Sequence, residues 1–150
     1  MQPQTFRQSG MWMIAIMVMV IIFCVTLLLN NLDKGSNIVW ILGSIIVVLL
    51  ICLFNFDRLT ITVTDKTVSF RMGMGLIRRS YKISDLKSCE EVKNNLLLGL
   101  GIHWFPGGVL YNVSGTKAIE LRFKHRRSVV RIGTDRPEEI AKLINLLIDK

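Results

Sequence analysis

The chain lacks charge where it is most apolar. Residues 11–29 contain no Asp, Glu, Lys, Arg or His, and residues 38–56 contain none either. That removes the usual marks of an ion path or proton relay from both stretches, because ionisable groups inside a bilayer are costly and persist where they work. Cysteine and histidine are sparse. Cys24 and Cys52 lie inside the apolar runs, Cys89 stands alone, and His103 and His125 are the only histidines. No disulfide framework or zinc-ligand spacing results, so no metal is expected and a reducing compartment is the simpler reading. No serine has a Gly-x-Ser-x-Gly setting. Glu90 and Glu91 are adjacent, so on a strand they face opposite sides and make no carboxylate pair. No cofactor is expected, and the chain does not read as an enzyme.

What is present begins with the two apolar runs themselves. Each has about 19 residues, close to the roughly 30 Å core of a bilayer at about 1.5 Å per residue. Joined by residues 30–37, they read as a transmembrane helical hairpin. The organisation expected is a polar leader over 1–10, helices over 11–29 and 38–56, an external loop over 30–37, and one domain over 57–150. No small-x-small cleavage site follows the first run, which predicts an uncleaved helix. Arg7 before the hairpin and Arg58 after it place both termini on the cytoplasmic side of a cell membrane by the positive-inside tendency. Trp12 and Trp40, each near the start of its run, suit opposite interfaces.

The formal net charge is +8, and residues 57–150 carry 17 Lys+Arg against 10 Asp+Glu. In a free domain such charge suggests nucleic acid. In a domain tied to a membrane it suggests anionic headgroups or an acidic protein partner, and no nucleic acid is expected.

Leu59, Ile61 and Val63 alternate with threonines, the pattern of a half-buried strand. Val68, Phe70 and Met72 repeat it after a turn at Asp65-Lys66. Further extended segments are expected over 76–83, 86–92, 96–105, 109–113, 118–123 and 128–132, the last two paired across a basic turn. Gly73-Met74-Gly75 and Gly99-Leu100-Gly101 do not complete a nucleotide-binding fingerprint and predict bends or bulges. The period then changes. Asp135, Pro137 and Glu138 signal a helix start, and Ile140, Leu143, Ile144, Leu147 and Ile148 form one apolar stripe.

About seven antiparallel strands followed by one C-terminal amphipathic helix resembles the pleckstrin-homology-like (PH-like) barrel. Met72-Gly73-Met74-Gly75 with Arg78-Arg79, Gly99-x-Gly101-Ile102, Tyr111-x-Val113-x-Gly115, Ala118-Ile119-Glu120-Leu121 and Ile132-Gly133-Thr134-Asp135-x-Pro137-Glu138 resemble the bacterial PH-like-domain membrane proteins. Those often carry a two-helix hairpin before the domain. The resemblance implies a membrane hairpin plus a mainly-β barrel, and a scaffold rather than an activity. It carries over no phosphoinositide pocket, because the first strand–strand loop here is short and contains Asp65.

Arg71, Arg78, Arg79 and Lys82, and Arg122, Lys124, Arg126, Arg127 and Arg131, are the candidate surface for lipid phosphate or an acidic partner, since guanidinium groups bind phosphate bidentately. The alternative is a solvated face that guards sheet edges. Trp104, in the apolar Gly-rich tip of residues 104–108, is expected to fold into the barrel, the alternative being a tip that dips into the membrane or a partner. The function expected is a membrane-anchored binding module, or an assembly subunit acting through homo-oligomerisation.

Overall fold

Both uncharged stretches are helical. The computed structural model describes residues 2–34, 36–95 and 100–150. Helix α1 spans Met11–Leu29 and α2 spans Ser36–Phe56. The two pack against each other, while Phe23, Trp40, Ile41, Val47 and Phe54 stay exposed. By length and composition Asn37–Phe56 can cross a membrane, and the apolar part of α1, Met13–Leu29, is shorter. One helix therefore meets the requirements of a span where the sequence predicts two. Gly35 of the expected loop, the side chain of Trp12, and residues 96–99, which include Gly99 and the start of one expected strand, lie outside the described residues.

Residues 1–10 read only as a polar leader, but Gln4–Ser9 is strand β1. It pairs antiparallel with β2, Arg58–Val63, in the register Ser9 with Arg58, Arg7 with Thr60 and Gln4 with Val63. The helices bring these segments together. The Gly10 N–H donates to the Asp57 carbonyl at 2.8 Å, where the two helix ends meet. A Cβ on Gly10 would lie 2.6 Å from the Phe56 carbonyl oxygen, so a side chain there would force the helix ends apart. The helical pair thus continues directly into a β-pair, and leader and domain share one end of it.

The remaining strands are β3 (Thr67–Met72), β4 (Ile77–Lys82), β5 (Leu86–Lys93), β6 (Gly101–Phe105), β7 (Gly108–Asn112), β8 (Lys117–Phe123) and β9 (Val129–Gly133). They form a four-stranded sheet, β1-β2-β3-β4, and a five-stranded sheet, β5-β8-β9-β7-β6. The expected closed barrel of about seven antiparallel strands is corrected on three points. The leader adds a strand, the two sheets do not close, and β7 and β9 are parallel. The parallel pairing follows from occupancy: β8 already pairs with β5 on its other side, so β9 inserts between β8 and β7, whose direction it shares. The expected pairing of the segments over 118–123 and 128–132 is present, with Leu121 opposite Val130.

The alternating residues of β2 and β3 form the core. Leu59, Ile61, Val63, Val68, Phe70 and Met72 pack with Ile119, Leu121 and Ile132 of the second sheet, each burial contributing about 1.5–3 kcal/mol. Helix α3, Pro137–Ile148, adds Ile140, Ala141 and Ile144 to the same core. Asn145 of α3 also covers the free edge of β5. Its Oδ1 accepts from the Cys89 N–H at 2.9 Å, and its Nδ2 donates to the Cys89 carbonyl at 2.8 Å. The edge-facing N–H and carbonyl of Cys89 are thereby satisfied.

Candidate functional site

Residue rows across the first sheet alternate in facing. Gln8, Leu59, Met72 and Ile77 form one row, turned to the core. The next row, on the outer face, is Arg7, Thr60, Arg71 and Arg78. All three arginines are exposed. This row lies two residues from Ser9 and Arg58, where the helices leave. At about 3.4 Å per residue that is about 7 Å along the strands, the depth of a headgroup layer.

The row is electrostatically unfavourable by itself. Arg71 and Arg78 are directly opposed, and like charges so placed destabilise a sheet, by roughly 0.2–1 kcal/mol for such cross-strand pairs. Between Arg7 and Arg71 sits Thr60, 3% exposed, whose Oγ1 has no hydrogen-bond partner. An unsatisfied buried hydroxyl costs roughly 1–3 kcal/mol. Thr60, Arg71 and Arg78 line a concavity of about 400 Å³ with Thr62, Ser69, Phe70, Arg79 and Ser80, and its lining contains no acid. An anion held there would relieve both penalties at once.

The remaining candidate residues do not join this row. Arg79 follows Arg78 on β4, opposite Phe70 rather than Arg71, and it lines both the concavity of the arginine row and a second cleft of about 640 Å³ with Tyr81, Trp104, Phe105 and Arg126. Lys82 lies at the end of β4 farthest from the helices. The β8–β9 connection, with Lys124, Arg126 and Arg127, is at that same far end, because Phe123 stacks edge-on against Tyr81 at 5.3 Å. Arg126 lies 3.5 Å over the Phe123 ring. Arg122 is spoken for by Glu120 at 3.0 Å and Glu90 at 3.2 Å, and Arg131 by Glu120 at 2.7 Å. The nine arginines and lysines thus divide into the pair Arg71 and Arg78 near the helices, Arg79 shared between two concavities, a far-end group of four and the two neutralised residues Arg122 and Arg131. Arg7 and Thr60 were missed in the sequence, where only the alternation Thr5-Phe6-Arg7-Gln8 hinted at a strand.

Trp104 corrects a second expectation. It is 85% exposed, on β6, the outermost strand of the five-stranded sheet among the described residues. His103 is half-buried, with Nε2 at 2.8 Å from the Leu100 carbonyl oxygen, and His125 is exposed. Among the described residues no three His, Cys, Asp or Glu side chains gather as a metal site. Burial, with Glu90 beside it, pushes the Cys89 thiol up to about 12, which suppresses the thiolate and its nucleophilicity. Burial likewise raises the Tyr81 phenol. No family model, curated protein or solved structure matches the chain.

Proposed function

We propose that this protein is a non-catalytic, membrane-anchored binding module whose first sheet engages anionic lipid headgroups at the inner face of the cell membrane. The observation that carries it is the Arg7–Thr60–Arg71–Arg78 row, a cationic row beside a concavity with no acid in its lining, one headgroup's depth from the helix exits. Bidentate guanidinium–phosphate pairing suits phosphodiester headgroups, and each basic residue near an anionic leaflet gains on the order of 1 kcal/mol. A two-helix anchor is supported by the exposed apolar surface of α1 and α2, which includes Phe23, Trp40, Ile41 and Val47. A shared side for the leader and the domain is supported by β1 pairing with β2, and the cytoplasmic side by the basic residues Arg7 and Arg58 in the helix flanks. A PH-like scaffold is supported by the succession of two largely antiparallel sheets and one C-terminal helix.

The test is lipid retention. The full chain, purified from bilayers of equal phosphatidylcholine and phosphatidylglycerol, is expected to carry phosphatidylglycerol in excess by native mass spectrometry. The triple variant Arg7→Gln, Arg71→Gln, Arg78→Gln should lose that excess. Equal retention by both chains would end the proposal.

A second reading, assembly through protein contacts, is favoured by Trp104 exposed on the outermost described strand, β6. Light scattering of the detergent-solubilised chain decides it: a defined oligomer that Trp104→Ser converts to monomer supports assembly, and a wild-type monomer rejects it.

A further inference from the structure

The turn between β3 and β4 is built against the end of α2. The Met74 N–H donates to the Phe54 carbonyl at 3.3 Å, and the Gly73 N–H to the Arg58 carbonyl at 2.8 Å. The first of these bonds satisfies one of the carbonyls that a helix C-terminus leaves unpaired. Gly73 has φ +48°, and a Cβ on it would overlap the carbonyl oxygens of Phe54 and Asn55. Backbone lies against backbone here, so the turn is locked at the height of the last turn of α2. The tip, Gly73-Met74-Gly75-Leu76, has no charged or polar side chain. Met74 is 73% and Leu76 74% exposed. Phe54, at the same height on α2, is exposed as well. Two large apolar side chains on a rigid tip, beside the end of an apolar helix and followed after Ile77 by Arg78 and Arg79, match the depth profile of a membrane boundary. Apolar groups lie inward there and cations lie at the phosphates.

We infer that Met74 and Leu76 insert into the leaflet from which α2 emerges, giving the domain a further membrane contact besides the two helix exits. This rests on the reading of α2 as a membrane span. The tip stands next to the two helix exits along one end of the first sheet, in the order β1, β2, β3–β4, so the domain meets the leaflet at three adjacent points rather than two.

The experiment places a fluorophore at Leu76→Cys, at Val47→Cys in the middle of α2, or at Lys82→Cys at the far end of β4. The background is the full chain with Cys24, Cys52 and Cys89 replaced by alanine, reconstituted in vesicles of brominated phosphatidylcholine. Strong quenching is expected at Val47→Cys, quenching at Leu76→Cys about threefold or more that at Lys82→Cys, and almost none at Lys82→Cys. Quenching at Val47→Cys with Leu76→Cys no higher than Lys82→Cys overturns the inference and leaves the span standing. Absence of quenching at Val47→Cys removes the span, and the inference with it. The unsubstituted chain provides a second readout that no folding defect can imitate. A diazirine carried on a lipid acyl chain is expected to label the peptide containing Met74 and Leu76, and labelling confined to α1 and α2 would contradict the insertion.

Discussion

Gln8 and Asp135 stand 127 positions apart and share a hydrogen bond of 2.9 Å, from the Gln8 amide to the Asp135 carboxylate. The same amide nitrogen donates to the Ser114 carbonyl at 2.8 Å. Asp135 looks in sequence like a helix cap, but Arg136 holds the N-cap position of α3 and makes no side-chain cap. The aspartate instead ties the leader strand to the start of the last helix. The two extremes of the chain are joined across the core, and Gln8 is 3% exposed.

Gln8→Ala is therefore expected to cost about 1–3 kcal/mol, because it removes two part-buried hydrogen bonds, one of them to a carboxylate. Thermal unfolding of the detergent-solubilised chain measures it. Limited proteolysis should cut near Arg7 faster in the variant, since β1 loses its inward tether. An unchanged melting temperature and an unchanged cleavage rate would mean that the leader strand is not anchored through this residue.

Gly73→Ala is expected to be more damaging, by about 3 kcal/mol or more, since it meets a positive φ and backbone overlap together. Gly75→Ala, also at positive φ (+98°) but with open space around its Cβ, should cost less, roughly 1 kcal/mol. Measuring the pair by the same unfolding assay separates conformational strain from the contact with α2. Equal losses would mean that the packing of Gly73 on Phe54 and Asn55 contributes nothing.

Cys89 predicts a pH dependence. Its pKa is raised on folding to about 12, so the folded state holds the proton more tightly than the unfolded chain, where a thiol titrates near about 8.5. The stabilisation is complete below that value and is lost as pH rises toward about 12. Between those limits the native chain should lose stability faster than Cys89→Ala, by up to about 1.4 kcal/mol per pH unit. Parallel denaturant titrations at pH 8, 9 and 10 check the sign. Parallel curves for the two chains would contradict it. Cys89 should also resist iodoacetamide in the folded chain and react on denaturation.

Some of this architecture was legible in the residues and some was not, for physical reasons. Leu59, Ile61 and Val63, and Val68, Phe70 and Met72, declared β2 and β3 because one face of each is wholly buried. Pro137 and the apolar stripe declared α3 for the same reason. Strand β1 was hidden because its inward residues are Phe6 and a glutamine, and its partner lies some 50 residues away, beyond a helical pair. The parallel β7–β9 pairing depends on which edge is free after β8 has paired, which no local pattern encodes. Trp104 looked like core because tryptophan usually is, and its exposure follows from β6 being the outermost described strand of its sheet. Among the basic residues the sign of charge was plain, but facing and partners were not. Arg122 is neutralised by acids on its own and a neighbouring strand, and Arg7 joined the site only because the leader is a strand.

The central claim is that Arg7, Arg71 and Arg78 meet lipid phosphate. Solid-state NMR measures this directly, through the dipolar coupling between 13Cζ of labelled arginine and 31P of the lipids, with the full chain in bilayers containing phosphatidylglycerol. Clear dephasing of the arginine signal by phosphorus is predicted, most of it lost when these three residues are replaced by glutamine. Dephasing that survives the triple substitution undiminished, or none in the native chain, would contradict the account.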